Sequence, residues 1–328
     1  MTVKKPIPFG LIILTLFSLL SMLLLSRVDY EWTLWLYSNR IDSWGDFMAQ
    51  NLFDDGVFGG SDLGIIVQLI LAAGFFCSYP GSRFPRLQPY RPYLGFAFFT
   101  ALVTGVGLVH SVKWIMARAR PYLVVKKGYP FSHWFEFGPH HISDGYYFGS
   151  LPSGHTATAI LLITLSYFMA ADRTHTLRTR ILGWIWGILT LLFASGMAIG
   201  RSMTLHHWLS DGFGIILVGL AATQLIFFTI LKVPRQVQYF RVHGQYPKQI
   251  GFWELQLLWR LLVVNLAIMA LTFGIRAVLS QKAPWLGLLV IPAVLSGYYA
   301  AKSIKKKYLD SMAVFTSDSA GNSKKRSG

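Results

Sequence analysis

The chain has 328 residues, of which 53% are hydrophobic and 13% charged, too few charges to solvate a soluble protein of this length. Lipid is therefore the solvent for most of it. The formal charge of +16 does not point to nucleic acid, because the basic residues lie between apolar stretches instead of forming one stripe, and the single cysteine, Cys77, excludes a disulfide framework and a cysteine-based zinc site.

Apolar runs near the length that crosses a bilayer core recur at 8–26, 59–78, 93–112, 156–171, 181–199, 212–231, 261–280 and 285–301, which predicts eight spans. Lys4 and Lys5 precede the first run, but Ser26-Arg27-Val28 is a poor cleavage site, so the run reads as an anchor. Residues 31–53 are interrupted by Glu31, Arg40, Asp42 and Asp46, while Leu34, Tyr37, Ile41, Trp44 and Met48 recur at helical spacing. A helix lying on the membrane surface is expected there, with Trp32 and Trp35 at headgroup level. Lys113 closes the third span, and Arg120-Pro121 follows seven residues later. In the loop 122–151, Lys126, Lys127, His133, Glu136, His140, His141 and Asp144 read as a solvated cap, since no two of its histidines have the i, i+4 spacing of a zinc pair. Pro152-Ser153-Gly154-His155 immediately precedes the fourth span, and the stretch from Gly200 through Arg201 and His207 to Asp211 joins the fifth to the sixth. Residues 314–328 are polar and aperiodic and should form a disordered tail.

Lys and Arg accumulate on the cytoplasmic side of spans. Placing both termini inside puts most basic residues there and leaves the clusters around Lys113, Ser153 and His207 together on the outer side. Ionisable groups at such positions are functional candidates by default. If 205–215 is helical, His207 and Asp211 share a face, and the carboxylate can hold one imidazole nitrogen while the other attacks. His206 would point elsewhere. Lys113, Arg120 and Arg201 supply positive charge for a phosphate, Ser153 and Gly154 open a helix start that favours an anion, and His155 stands where a proton donor to a leaving group is needed.

The order and spacing of these stretches resemble the type 2 phosphatidic acid phosphatase family, from about residue 59 to 231. The resemblance implies an all-α, polytopic membrane helical bundle with a six-helix core, to which this chain adds two C-terminal spans. It implies His207 as the nucleophile of a phosphohistidine intermediate, Asp211 as its orienter and His155 as general acid. Lys113, Arg120, Ser153, Gly154 and Arg201 would bind the phosphate, with neither metal nor cofactor. Gly200 departs from the family, which usually carries serine before the arginine. The expected organisation is an anchor and interfacial helix at 1–56, the rest of the core at 57–231, an extension at 232–313 and a tail at 314–328.

The leading expectation is a lipid phosphatase of the inner membrane with a periplasmic site. Phosphatidic acid, phosphatidylglycerol phosphate, polyprenyl pyrophosphate and lipid A are the candidate substrates that the resemblance brings. A lipid-to-lipid phosphotransferase, a non-catalytic phospholipid transporter or scaffold, and a haloperoxidase are the competing readings.

Overall fold

The computed structural model describes residues 9–48, 62–138, 149–171, 175–247 and 251–317, and every regular element among them is a helix. In order these are α1 (Phe9–Ser38), α2 (Asp42–Asp46), α3 (Asp62–Cys77), α4 (Arg91–Thr100), a π-helical stretch (Ala101–Leu108), α5 (Val109–Met116) and α6 (Pro121–Lys127). There follow α7 (Gly154–Leu161), α8 (Ile163–Ala170), α9 (Leu177–Met203), α10 (Leu209–Leu225), α11 (Val233–His243), α12 (Trp253–Leu279) and α13 (Val290–Ser317). Among the described residues five helical stretches are long and apolar enough to cross a membrane, and 64–77 and 154–170 are shorter apolar helices. This is an all-α polytopic membrane protein. It divides into two compact units, Met1–Gln68 with Thr100–Ile226, and Leu69–Phe99 with Phe227–Gly328.

In the first unit α10 packs on α1, α7 and α9. Its core holds Ala159 and Ile160 of α7, Ala194, Met197 and Ala198 of α9, and Ile216 of α10. The single separate helix expected over 31–53 is corrected for 31–48, and 49–53 lie outside the described residues. Helix α1 runs unbroken through Trp32 and Trp35 to Ser38, because no glycine or proline interrupts 11–44 and its central carboxylate, Asp29, is buried against Arg118. It ends where the Asn39 backbone and side-chain nitrogens both donate to the carbonyl of Trp35, each at 2.9 Å.

Gly200 has a steric reason. A Cβ there would lie 2.5 Å from Cβ of Met48 and 3.6 Å from Nε1 of Trp44, while one at Gly196 would lie 2.8 Å from the Trp44 ring. The two glycines, four residues apart on α9, form the seat for the segment that carries Trp44 and Met48. Gly200→Ser, which restores the family's usual residue, is therefore expected to cost about 1–3 kcal/mol. Unfolding of the detergent-solubilised variant measures that loss, and an unchanged or raised stability would refute the packing account.

The second unit contains the helix pair α12 and α13, joined by a tight 3-10 turn (Pro284–Leu289). Arg91, the first residue of α4, is buried. Its Nη2 donates to both carboxylate oxygens of Glu254, at 3.1 and 3.0 Å, and its guanidinium lies over the rings of Phe75 and Tyr79 at 5.0 and 5.3 Å. Breaking such a pair leaves a buried charge uncompensated, at about 3–5 kcal/mol, whereas replacing both partners with apolar groups restores most of it. Glu254→Leu should thus unfold far more readily than the Arg91→Met/Glu254→Leu double variant, and equal losses would sink this reading. At the end of the chain, the disorder expected from 314 is corrected for 314–317, which continue α13, and 318–328 lie outside the described residues.

Candidate active site

Three chain reversals build the site, all within the first unit. Helix α5 carries Lys113 in its last turn and stops at Ala117, whose φ of 47° is left-handed, so the chain turns and α6 starts with Arg120 as N-cap and Pro121 in its first turn. Helix α7 starts at Gly154, where the Ser153 hydroxyl accepts from the Thr156 amide at 3.4 Å. The third reversal lies between α9, whose last turn holds Arg201, and α10.

The helix expected over 205–215 is corrected here, because Leu205 is left-handed at φ 58° and α10 begins only at Leu209. His207 therefore sits in the turn, its amide donating to the Arg201 carbonyl at 3.2 Å. Asp211 occupies the third position of α10 and accepts from the Trp208 amide at 2.9 Å, capping the helix start. Nδ1 of His207 lies 3.7 Å from Oδ2 of Asp211, an ion-pair distance but longer than a hydrogen bond. The other ring turns aside, with Nδ1 of His206 2.8 Å from Oγ1 of Thr204.

What occupies Asp211 is a network that the sequence reading missed. Its Oδ1 accepts from Nη1 of Arg118 at 2.7 Å, and its Oδ2 also accepts from the Ser150 hydroxyl. Nη2 of Arg118 reaches Oδ2 of Asp29 at 2.8 Å, and Ser210 bridges them, accepting from Nη1 at 2.8 Å while donating to Asp29 at 2.5 Å. Arg118, Asp29, Ser150, Ser210 and Asp211 are all buried. The available signal for Asp29 was an ionisable cluster, Arg27, Asp29 and Glu31, inside an otherwise apolar helix. Arg118 was hidden in plain sight, two residues before Arg120.

Backbone bonds tie the reversals together. Ser150 donates to the carbonyl of Arg118 at 2.8 Å, Ser153 to that of Asp211 at 3.2 Å, and Tyr122 to that of Leu205 at 3.1 Å, while the Trp208 indole donates to Ala119 at 2.8 Å. The predicted charges thereby converge. Burial, then the charges of Arg201, Lys113, Arg120 and His155, push the His207 imidazole well below its ordinary value. Lys113 stands over the start of α7, since a Cβ on Gly154 would lie 3.8 Å from its Nζ. The structure thus brings Lys113, Arg120, His155 and Arg201 around His207, with Ser153 and Gly154 at the adjoining helix start. Lys126 and Lys127 close α6, where Lys126 lines a separate pocket with Met203 and Thr204, and His140, His141 and Asp144 lie outside the described residues.

Residues 93–235 match the PAP2 superfamily. Helices α12 and α13 lie beyond the matched stretch. Neither a curated protein nor a solved structure matches the chain.

Proposed function

We propose, from the chain's membership of the type 2 phosphatidic acid phosphatase family through residues 93–235, that its phosphatase-type activity is the hydrolysis of a phosphomonoester or pyrophosphate on a lipid. The observation that carries this reading is that His207 is buried in the turn bonded to Arg201, with Lys113 standing over the adjoining start of α7, and that burial and the charges of Arg201, Lys113, Arg120 and His155 push its imidazole below the ordinary value. Such a field suits a phosphate, whose transfer depends chiefly on positioning and charge stabilisation. Nε of Arg120, buried without a hydrogen-bond partner among the described residues, is a donor that a phosphate oxygen would satisfy.

In the proposed sequence, Nε2 of His207 attacks phosphorus, the bond from phosphorus to the lipid oxygen breaks, and His155 delivers a proton to that oxygen. Water then attacks the phosphohistidine with His155 accepting its proton, and inorganic phosphate leaves. Asp211 faces the Nδ1 side and stabilises the positive ring that forms on phosphorylation, its 3.7 Å separation shortening as charge develops. Lys113, Arg120, Arg201, the Ser153 hydroxyl and the first amides of α7 hold the equatorial oxygens. The distribution of Lys and Arg supports cytoplasmic termini and a site on the outer face of the membrane, which is the periplasmic side in an inner membrane and the luminal side in an endoplasmic reticulum membrane.

The test is release of inorganic phosphate, with chelator present, from phosphatidic acid, phosphatidylglycerol phosphate, polyprenyl pyrophosphate and lipid A. Loss of release in a His207→Ala variant supports the reading. Release only when a lipid acceptor is added would replace hydrolysis with phosphotransfer, and no turnover of any lipid would leave a binding protein. The depressed His207 also sets a pH dependence. The neutral ring is the nucleophile, so activity persists below pH 6.5, the ordinary imidazole value, and falls only as pH drops through the lowered value. Arg201→Gln removes the largest charge acting on the ring and should move the acid limb of kcat/KM upward, though lowering its height. An acid limb at or above 6.5 in the parent would contradict the electrostatics.

A further inference from the structure

Helix α13 has 28 residues, about 42 Å at 1.5 Å per residue, so it outruns the hydrocarbon core of a bilayer. Its second half is cationic. Lys302, Lys305, Lys306 and Lys307 are all exposed, and these four lysines against one carboxylate, Asp310, leave the helix a net charge of +3. At about 100° per residue, Leu295, Tyr298, Tyr299, Lys302, Lys305 and Lys306 share one face, within an arc of about 120°. All six are exposed, Leu295, Tyr298 and Tyr299 by 53%, 60% and 66%, and Nζ of Lys302 lies 5.9 Å from the centre of the Tyr298 ring. Away from this face the helix is docked. Ala293 is buried, a Cβ on Gly297 would lie 3.1 Å from Cβ of Ala267, Nε of Arg260 on α12 donates to the Ser303 hydroxyl at 2.8 Å, and the Tyr308 hydroxyl donates to the Thr229 carbonyl at 2.8 Å. These contacts fix the rotation of α13, so the lysine face cannot turn inward without breaking them.

We propose that this face of α13 holds an anionic phospholipid of the leaflet bordering its lysines, with the phosphate against Lys302 and Lys306 and the acyl chains along Leu295. The surface lies beyond residues 93–235, and the inference does not depend on the phosphatase reading. Positive charge beside a span follows from topology alone. The order of groups is what identifies the occupant: an apolar turn, then two aromatic rings of the kind that sit at the membrane interface, then cations, which is the order of a phospholipid from chain to phosphate. Lys302 and Lys306 are one turn apart on the same line and can close on one phosphate, with Lys305 beside them. An anionic headgroup brings net charge to this cluster, whereas the ammonium of a zwitterionic one cancels it. A water-soluble acidic partner would reach the lysines but leave Leu295 and the tyrosines unmatched, and a second copy of the chain would set like charge against like.

Native mass spectrometry of the detergent-purified full chain, titrated with phosphatidylglycerol or with phosphatidylcholine of identical acyl chains, tests this. The parent is expected to retain phosphatidylglycerol at least fivefold more tightly. Lys302→Gln/Lys305→Gln/Lys306→Gln should bring the two lipids within twofold of each other, while arginine at the same three positions should keep the preference. Arg83→Gln/Arg86→Gln/Lys127→Gln, which removes as much charge elsewhere, should keep it too. Equal retention of both lipids by the parent overturns the proposal, as does a preference that survives the glutamine variant of α13. A preference lost equally in the control variant would assign it to net charge and overturn the site. Displacement of the lipid by excess glycerol 3-phosphate would show that the lysines take a soluble phosphate without its chains, and would refute the lipid as occupant.

Discussion

Replacing His207 by alanine is expected to abolish phosphate release from the preferred lipid, by about four to six orders of magnitude in kcat, the scale seen when a nucleophile acting as part of a unit is removed. The ring is 98% enclosed, and the depression of its proton affinity by burial and neighbouring charge keeps the nitrogen proposed to attack unprotonated near neutral pH. No neighbouring group can substitute, because His206 is turned onto Thr204 and His155 opens a different helix. His206→Ala should accordingly stay within a few-fold of the parent. Rapid quench with ³²P-labelled lipid should trap acid-labile, base-stable phosphoprotein in the parent and none in His207→Ala. A His207→Ala protein that retains substantial turnover would transfer the nucleophile's role elsewhere.

The second large effect should come from Arg118, which touches none of the groups proposed to bind phosphate. One guanidinium there serves two buried carboxylates, those of Asp29 and Asp211, and Ser210 completes the circuit. Arg118→Leu would leave both acids buried without their cation, an expected loss of about 3–5 kcal/mol or more. It would also release Asp211 from the position in which it caps α10 and faces His207. Asp29→Asn, which keeps a hydrogen-bonding group beside Ser210, should be milder in stability. Unfolding in detergent measures the first effect. For the second, Asp29→Asn should lower kcat while leaving KM nearly unchanged, since the phosphate-binding side chains stay in place. If Arg118→Leu matched the parent in unfolding and kcat, the network would have no part in supporting the site.

Much of this molecule was legible before any fold was known. Low charge and recurrent apolar runs required lipid as solvent and helices as the spanning structure, because only internally hydrogen-bonded segments survive there. Lys113, Arg120, Ser153, Gly154, His155, Arg201 and His207 could be singled out because polar groups at the ends of apolar runs need a use, and their spacing resembles a known signature. Helix ends were less legible. The i, i+4 spacing of His207 and Asp211 suggested one helical face, yet the left-handed Leu205 and the capping role of Asp211 place His207 in a turn. Gly200 resembled a minor departure until the seat of Met48 gave it a steric cause.

What the sequence by itself determined is the solvent, the helical class and the inventory of reactive groups, all of which follow from composition and local periodicity. Tertiary structure alone decided the rest: that Arg118 joins Asp29 and Asp211, 89 and 93 residues away, and that a cleft of about 410 Å³, with no charged side chain among the described residues that line it, opens between α1, α5 and α10. A buried charge must find a partner wherever packing brings one, and a cleft exists only between elements already docked, so neither leaves a periodic trace along the chain.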